Sequence, residues 1–340
     1  MNCKKCNIKI KYVLLIITLI STFFISLFLG RFLISPLVVI KTFGEIISQI
    51  NCSSNSIETS VIANIRLPRT ILSMLVGAGL SISGATFQGI FKNPLVSPDI
   101  LGVNAGAAFG AVLAILFCGL NSNVTFYAIL FGIISVCITY MLSKNKESGP
   151  VLSLVLSGII VSSVFSSLIS LIKYVADPYD KLPTITYWLM GSFSKCSYDD
   201  LKFIFLPITV SIILLLMMRW RINILSLGDE EAHSLGIDPK KIRLIIIALV
   251  TIITACSVTI AGIIGWVGLV IPHISRIMFG VDHSRLLPVS CIIGAIFLTL
   301  VDIIARTATS VEIPIGILTA LIGAPFFGWL IKKKNKGDWA

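Results

Sequence analysis

The sequence predicts an all-α polytopic membrane protein of about ten transmembrane helices with an inverted internal repeat. Three observations carry that fold class. Hydrophobic residues make up 56% of the 340 and charged residues only 13%, with a mean hydropathy of +0.98, whereas soluble domains carry about 25% charged residues. Apolar runs long enough to cross a bilayer recur along the whole length. Small residues recur inside those runs every fourth position, the spacing that lets helices approach closely in lipid. No sizeable soluble domain fits between the runs, so residues 1–340 read as a single transmembrane domain. The net charge of +11 therefore flanks spans in a lipid bilayer and does not suggest a nucleic-acid partner.

Ten spans are predicted, near 13–33, 67–88, 99–118, 124–142, 151–172, 200–219, 242–260, 262–279, 288–306 and 313–331. The first follows a basic stretch but has no convincing small-residue cleavage site, so it reads as a retained helix. With the N-terminus inside, 18 of the 27 Lys and Arg fall on the cytoplasmic side. That bias places both termini inside.

The second span opens with Arg66 and Arg69 and carries Ser73, Gly77, Ser81 and Ala85 on one face. The third has Gly102, Gly106 and Gly110, and the tenth has Gly316, Ala320, Ala324 and Gly328, both in four-residue steps. Such faces pack tightly within one subunit, or one of them meets a partner subunit or a pore. The fifth span is rich in hydroxyls: Ser153, Ser157, Ser162, Ser163, Ser166, Ser167 and Ser170. Serines of this kind also bond back to their own helix. Gly84 and Pro94 are ten residues apart, as are Gly262 and Pro272. The second and seventh spans run in opposite directions, as an inverted repeat requires.

The longest polar interruption lies at 220–241, on the inside. Gly228 ends the preceding segment, and Asp229 can cap a short helix through Leu235. Gly236 can take the left-handed conformation that stops it. Asp238 and Pro239 then cap and start the next helix. Ala232, Leu235 and Ile237 offer a small apolar surface among Asp229, Glu230, Glu231 and His233. This is either a solvated connector or a helix–turn–helix that docks a soluble partner.

Four stretches, Arg66–Gly102, GDEEAHSLGIDPKK, GIIGWVGLVIPHISR and DIIARTATSVEIPIGILTALIGAPFFGWL, resemble the FecCD-type permeases in the same order. These are membrane subunits of ATP-binding-cassette importers for iron–siderophore complexes, haem and vitamin B12. The resemblance implies a type II ABC importer permease fold, with two permease subunits, the same or different, around a central pathway. It implies two ATPase subunits on the cytoplasmic face and an extracytoplasmic substrate-binding protein. ATPase coupling falls to Gly228–Pro239. The chain has no G-x-x-x-x-G-K-[ST] phosphate loop, so ATP belongs to the partner subunit and this chain is expected to bind no cofactor and to be no enzyme.

The resemblance also implies that Arg66, Arg69 and Arg306 accept acidic residues of the binding protein. Lipid headgroups for the first two, and a local pair with Asp302 for Arg306, are the alternatives. It puts spans five and ten along the pathway, through Ser153, Ser157, Ser163, Ser166 and Ser170, with the loop near Lys144–Pro150 as an inner gate. Ferric siderophore is the expected cargo, with haem and cobalamin as alternatives. The inverted repeat alone also allows a gradient-driven secondary transporter. That class needs an ionisable residue in mid-membrane, and the spans offer only Asp302, near an outer end. Cys3 and Cys6 form a lone CxxC without a second pair, and Cys52 and Cys196 could pair outside the membrane. Cys118, Cys137, Cys256 and Cys291 read as small apolar residues. His233, His273 and His283 are scattered and make no metal site.

Overall fold

The computed structural model describes residues 2–32, 34–48, 57–119, 123–144 and 150–333, and every regular element among them is helical. In order these are α1 (Asn2–Phe28), α2 (Pro36–Ser48), α3 (Ile57–Val61), a π-helical turn (Ile62–Arg66), α4 (Leu67–Ile90), a 3₁₀ turn (Pro98–Leu101), α5 (Val103–Cys118) and α6 (Asn123–Ser143). Then follow α7 (Pro150–Val175), α8 (Lys181–Met190), α9 (Tyr198–Met217), α10 (Arg219–Leu227), α11 (Asp229–Ser234), α12 (Pro239–Ala261), α13 (Val267–Phe279), α14 (His283–Thr307) and α15 (Ile315–Lys333).

Among the described residues seven stretches are long and apolar enough to cross a membrane, including α1, the rod Ile57–Ile90, α12 and α14. The third, eighth and tenth expected spans are shorter apolar helices, Val103–Cys118, Val267–Phe279 and Ile315–Leu330. Backbone breaks shorten two of them. Gly102 turns left-handed at φ 84° between the 3₁₀ turn and α5. An irregular segment follows Gly262, at φ 67°, and ends on Trp266, a non-glycine residue held at φ 70°. Irregular backbone at this depth is tolerated because protein covers it. Gly323 of α15 lies beneath Trp266, where an added Cβ would come within 2.6 Å of the tryptophan Cβ. The short α2 and α8 were not expected.

The apolar window is 78% buried in Ile57–Ile90 and 72% buried in α12, but only 17% buried in α1. So α4 and α12 form the centre, and α1 is a peripheral helix. Close backbone approach makes the centre possible. A Cβ on Gly77 would overlap the carbonyl of Gly294 on α14, and one on Gly84 would overlap the carbonyl of Gly268 on α13. Ser73 Oγ lies 3.0 Å from Thr299 Oγ1 on the same seam. The stripe Ser73–Gly77–Ser81–Ala85 is therefore intramolecular packing. Gly106 and Gly110 likewise abut the Phe131 and Tyr127 carbonyls of α6. The two ten-residue Gly–Pro spacings sit in different settings, since Gly84 lies inside α4 and Gly262 ends α12.

The π turn widens the helix and displaces one backbone bond. Tyr198 Oη, at the start of α9, donates to the Ala63 carbonyl at 2.6 Å. A side chain from another helix thus satisfies a carbonyl in the turn that leads to Arg66 and Arg69.

Candidate functional site

Three regions hold the residues singled out from the sequence: a buried arginine cluster at one end of the bundle, the α10–α12 loop at the other, and the open faces of α7 and α15.

The arginine cluster departs from expectation. Arg66 is 4% exposed. Its Nη1 donates to the carbonyls of Leu27 at 2.7 Å and Phe28 at 2.9 Å, and its Nη2 donates to Phe32. The last carbonyls of a helix have no intrahelical partner, and α1 ends at Phe28, so Arg66 caps α1. Arg306 does the same from α14, donating through Nη2 to the Ser26 carbonyl at 2.6 Å and to Ser26 Oγ at 2.7 Å. Arg69 is bound on both edges of its guanidinium. Its Nε and Nη2 reach the carboxylate of Asp302 at 2.8–3.1 Å, and Nη1 and Nη2 each reach Glu312 at 3.0 Å. Arg306 Nε stands 3.7 Å from Asp302 Oδ2, the local pair that its spacing allowed. The outward placement expected of Arg66, Arg69 and Arg306 is not what the structure shows. All three are buried, and their donors go to α1 carbonyls and to two carboxylates of the same chain. Asp302 is fully buried, so it is a counter-ion in this cluster.

At the opposite end the helix–turn–helix is present. α11 runs Asp229–Ser234 and α12 starts at Pro239. Gly236 adopts φ 76°, its N–H bonds the His233 carbonyl, and the Ile237 N–H bonds the Ala232 carbonyl, both at 2.9 Å. That is a glycine C-terminal stop. Asp238 accepts from the backbone N–H groups of Lys240 at 3.0 Å and Lys241 at 3.3 Å. These bonds, that of Lys241 first, hold its carboxyl below the usual carboxylate range.

Two details differ from the expectation. The residue at the cap of α11 is Gly228, and Asp229 instead pairs with Arg243 at 2.8 Å, tying α11 to α12. Ala232 and Ile237 turn into the core, and of the expected apolar surface only Leu235 stays exposed, at 57%. The separate helix α10 leading into the loop was not foreseen.

The hydroxyl face of α7 divides. Ser153 and Ser157 are buried in the subunit, and Ser153 Oγ donates to the Ser143 carbonyl at 3.1 Å, so neither is on the open face of α7. Ser163, Ser166 and Ser170 are exposed. Ser163 and Ser170 donate back to their own helix at 2.9 and 3.0 Å, which leaves their oxygens as acceptors. Ala324 and Gly328 of the α15 small-residue row are also exposed. The gate loop at 145–149 and Cys52 lie outside the described residues, as do the side chains of Cys3 and Cys6. Among the described residues no cluster of three His, Cys, Asp or Glu could hold a metal.

Comparison with known proteins agrees with this architecture. The FecCD transport family model matches residues 16–333. The molybdate import system permease protein MolB of Haemophilus influenzae is 42% identical over 95% of both chains. A probable iron chelatin transport system permease protein of Helicobacter pylori is 44% identical over 80% of this chain and 82% of its own. A solved structure, described as an inward-facing conformation of a metal-chelate type ABC transporter, superposes with a TM-score of 0.85 at 42% identity, over 94% of this chain and 98% of that one. The chain belongs to the FecCD transport family and is a multi-pass ABC importer permease, a transport subunit and not an enzyme.

Proposed function

We propose that this permease moves a ferric siderophore across the cytoplasmic membrane, with both termini inside. It works as one of two permease subunits, driven by two separate ATPase subunits and supplied by an extracytoplasmic binding protein. The observation that supports the engine contact is the α10–α12 loop. Two helices held by a left-handed glycine present Leu235, Glu230 and His233 to solvent at one end of the bundle. A rigid helical knob is a surface a soluble partner can grip. ATPase coupling therefore rests on Gly228–Pro239, with Gly236 setting the angle and Asp229–Arg243 fixing α11 to the central helix α12.

The open hydroxyl face of α7 (Ser163, Ser166, Ser170) and the open small-residue row of α15 are the surfaces that line the pathway or meet the second permease. No charged cluster lies among these serines, which suits a bulky chelate moved by shape change.

Iron chelate cargo is favoured by the Helicobacter pylori relative. Molybdate is a second reading, because the relative named for it matches 95% of both chains; it lies outside the cargo range that the sequence suggested. The test is uptake into vesicles carrying the permease, its ATPase and the loaded binding protein. Radio-iron chelate should enter only with a working ATPase. Uptake of molybdate, haem or cobalamin instead would replace the cargo. Uptake that persists with a dead ATPase and collapses with a protonophore would make the chain a gradient-driven carrier.

A further inference from the structure

A cavity of about 730 Å³ opens at the loop end, between the end of α4, α10, the last turns of α13 and the start of α14. Gln88, Lys92, Asn223, Arg276, Asp282 and His283 are among its walls. Its charges do not balance. Arg276 is half-buried, and its Nη2 donates to the neutral amide oxygen of Gln88 at 2.6 Å. Among the described residues no carboxylate lies within 4.0 Å of it. Lys92 holds a left-handed backbone, φ 50°, that a lysine rarely adopts, and its Nζ reaches the Leu227 carbonyl where α10 ends.

Asp282 is the one acid among the described cavity walls, and it is already engaged. Its Oδ1 accepts from Asn223 Nδ2 at 2.7 Å and from the Ser284 N–H at 2.9 Å, capping α14. The cavity therefore carries two cations, Arg276 and Lys92, against one carboxylate, and among the described residues neither cation is in an ion pair. A half-desolvated guanidinium held only by a neutral amide gains from a carboxylate far more than an exposed one does.

We propose that this cavity receives an acidic side chain of the ATPase subunit, with Arg276 as its principal partner and Lys92 at the rim. The inference rests on the docking role of the α10–α12 loop. The cavity adjoins that loop, because Leu227, whose carbonyl Lys92 holds, is the residue before Gly228. A partner seated on α11 is thus within reach of the cavity mouth. The loop offers the partner acids at the exposed Glu230 and Glu231, Asp229 being paired with Arg243, so a basic recess beside it gives the contact both signs of charge. Such alternation fixes register and rejects wrong partners.

The experiment measures ATPase binding to the full-length permease in nanodiscs of neutral lipid and, separately, of anionic lipid, across a salt series. Arg276→Gln should weaken binding at least tenfold and flatten its salt dependence, and Arg276→Lys should recover part of the loss. Lys92→Gln, a change at an exposed side chain, should weaken binding a few-fold. Gln88→Glu places a carboxylate on Arg276 from within and should also weaken binding, although the permease inserts normally; a merely structural Arg276 would not show this. If these variants bind like wild type while Gly236→Val loses binding, the cavity is not a contact and the docking loop stands. If Gly236→Val also binds normally, the docking reading itself is wrong. If the loss in Arg276→Gln appears only in anionic nanodiscs, the cavity holds a lipid phosphate and the proposal is overturned.

Discussion

Asp302→Asn is the sharpest probe of the buried cluster. The change keeps the shape of the side chain and removes its charge. Asp302 is fully buried and takes three contacts of 2.8–3.1 Å from Arg69, with Arg306 Nε 3.7 Å away. Without the charge, two buried guanidinium groups are left with Glu312 alone, whose side chain is 25% exposed. Removing one partner of a buried pair costs about 3–5 kcal/mol, because the remaining charge stays out of water. The amide oxygen still accepts one bond, so the lower end, about 3 kcal/mol, is expected. The assay is thermal unfolding of the purified permease in detergent, where a drop of several degrees should appear. A double-mutant cycle with Arg69→Gln should then give a coupling of roughly 0.5–3 kcal/mol. An Asp302→Asn protein within about 0.5 kcal/mol of wild type, or a double variant equal to the sum of its singles, would refute the counter-ion role.

Three further outcomes follow from local geometry. Gly236→Val forces an L side chain into the left-handed region at a cost of roughly 1–2 kcal/mol. No atom lies within 4 Å of the added Cβ, so insertion should survive while substrate-stimulated ATP hydrolysis by the complex falls; normal coupling would refute the docking role. Gly84→Ala drives a methyl into the Gly268 carbonyl and should cost about 1–3 kcal/mol, read as a lower unfolding temperature; an unchanged midpoint would mean that α4 and α13 can separate freely. The carboxyl of Asp238 titrates below its ordinary value of 3.8, so its cap is intact above that pH and is lost as pH falls through the folded value. The Lys240 and Lys241 amides should then exchange faster relative to their intrinsic rates, and Asp238→Asn should abolish that pH dependence; identical behaviour in the variant would refute the cap.

The helical class, the central small-residue seam and the turn at Gly236 were legible because each is written in local spacing. The fate of the arginines was not. Position at the start of a span says that Arg66 and Arg69 are out of place, but not which groups satisfy them. Those groups are the end of α1, about 40 residues earlier, and Asp302 and Glu312, more than 230 residues later. Only the Asp302–Arg306 spacing of four hinted at it. The exposure of Ser163 against the burial of Ser153 was also hidden, since both lie in one apolar run and tertiary packing alone decides which face is covered. The break that ends on Trp266 carries a glycine signal just before it, Gly262 and Gly265, that an unbroken span reading passes over.

The capping of α1 has a consequence for how the protein is made. Translation delivers α1 first, and its terminal carbonyls at Ser26, Leu27 and Phe28 have no intrahelical donors of their own. Arg66 follows after two short helices, but Arg306 emerges only when nine-tenths of the chain exists, 280 residues after Ser26. Until then the first helix waits at the edge of a half-built bundle with its end incompletely satisfied. Chains truncated before α14 lack that donor, so the end of the first helix is fully satisfied only in a chain that has been made almost to its C-terminus.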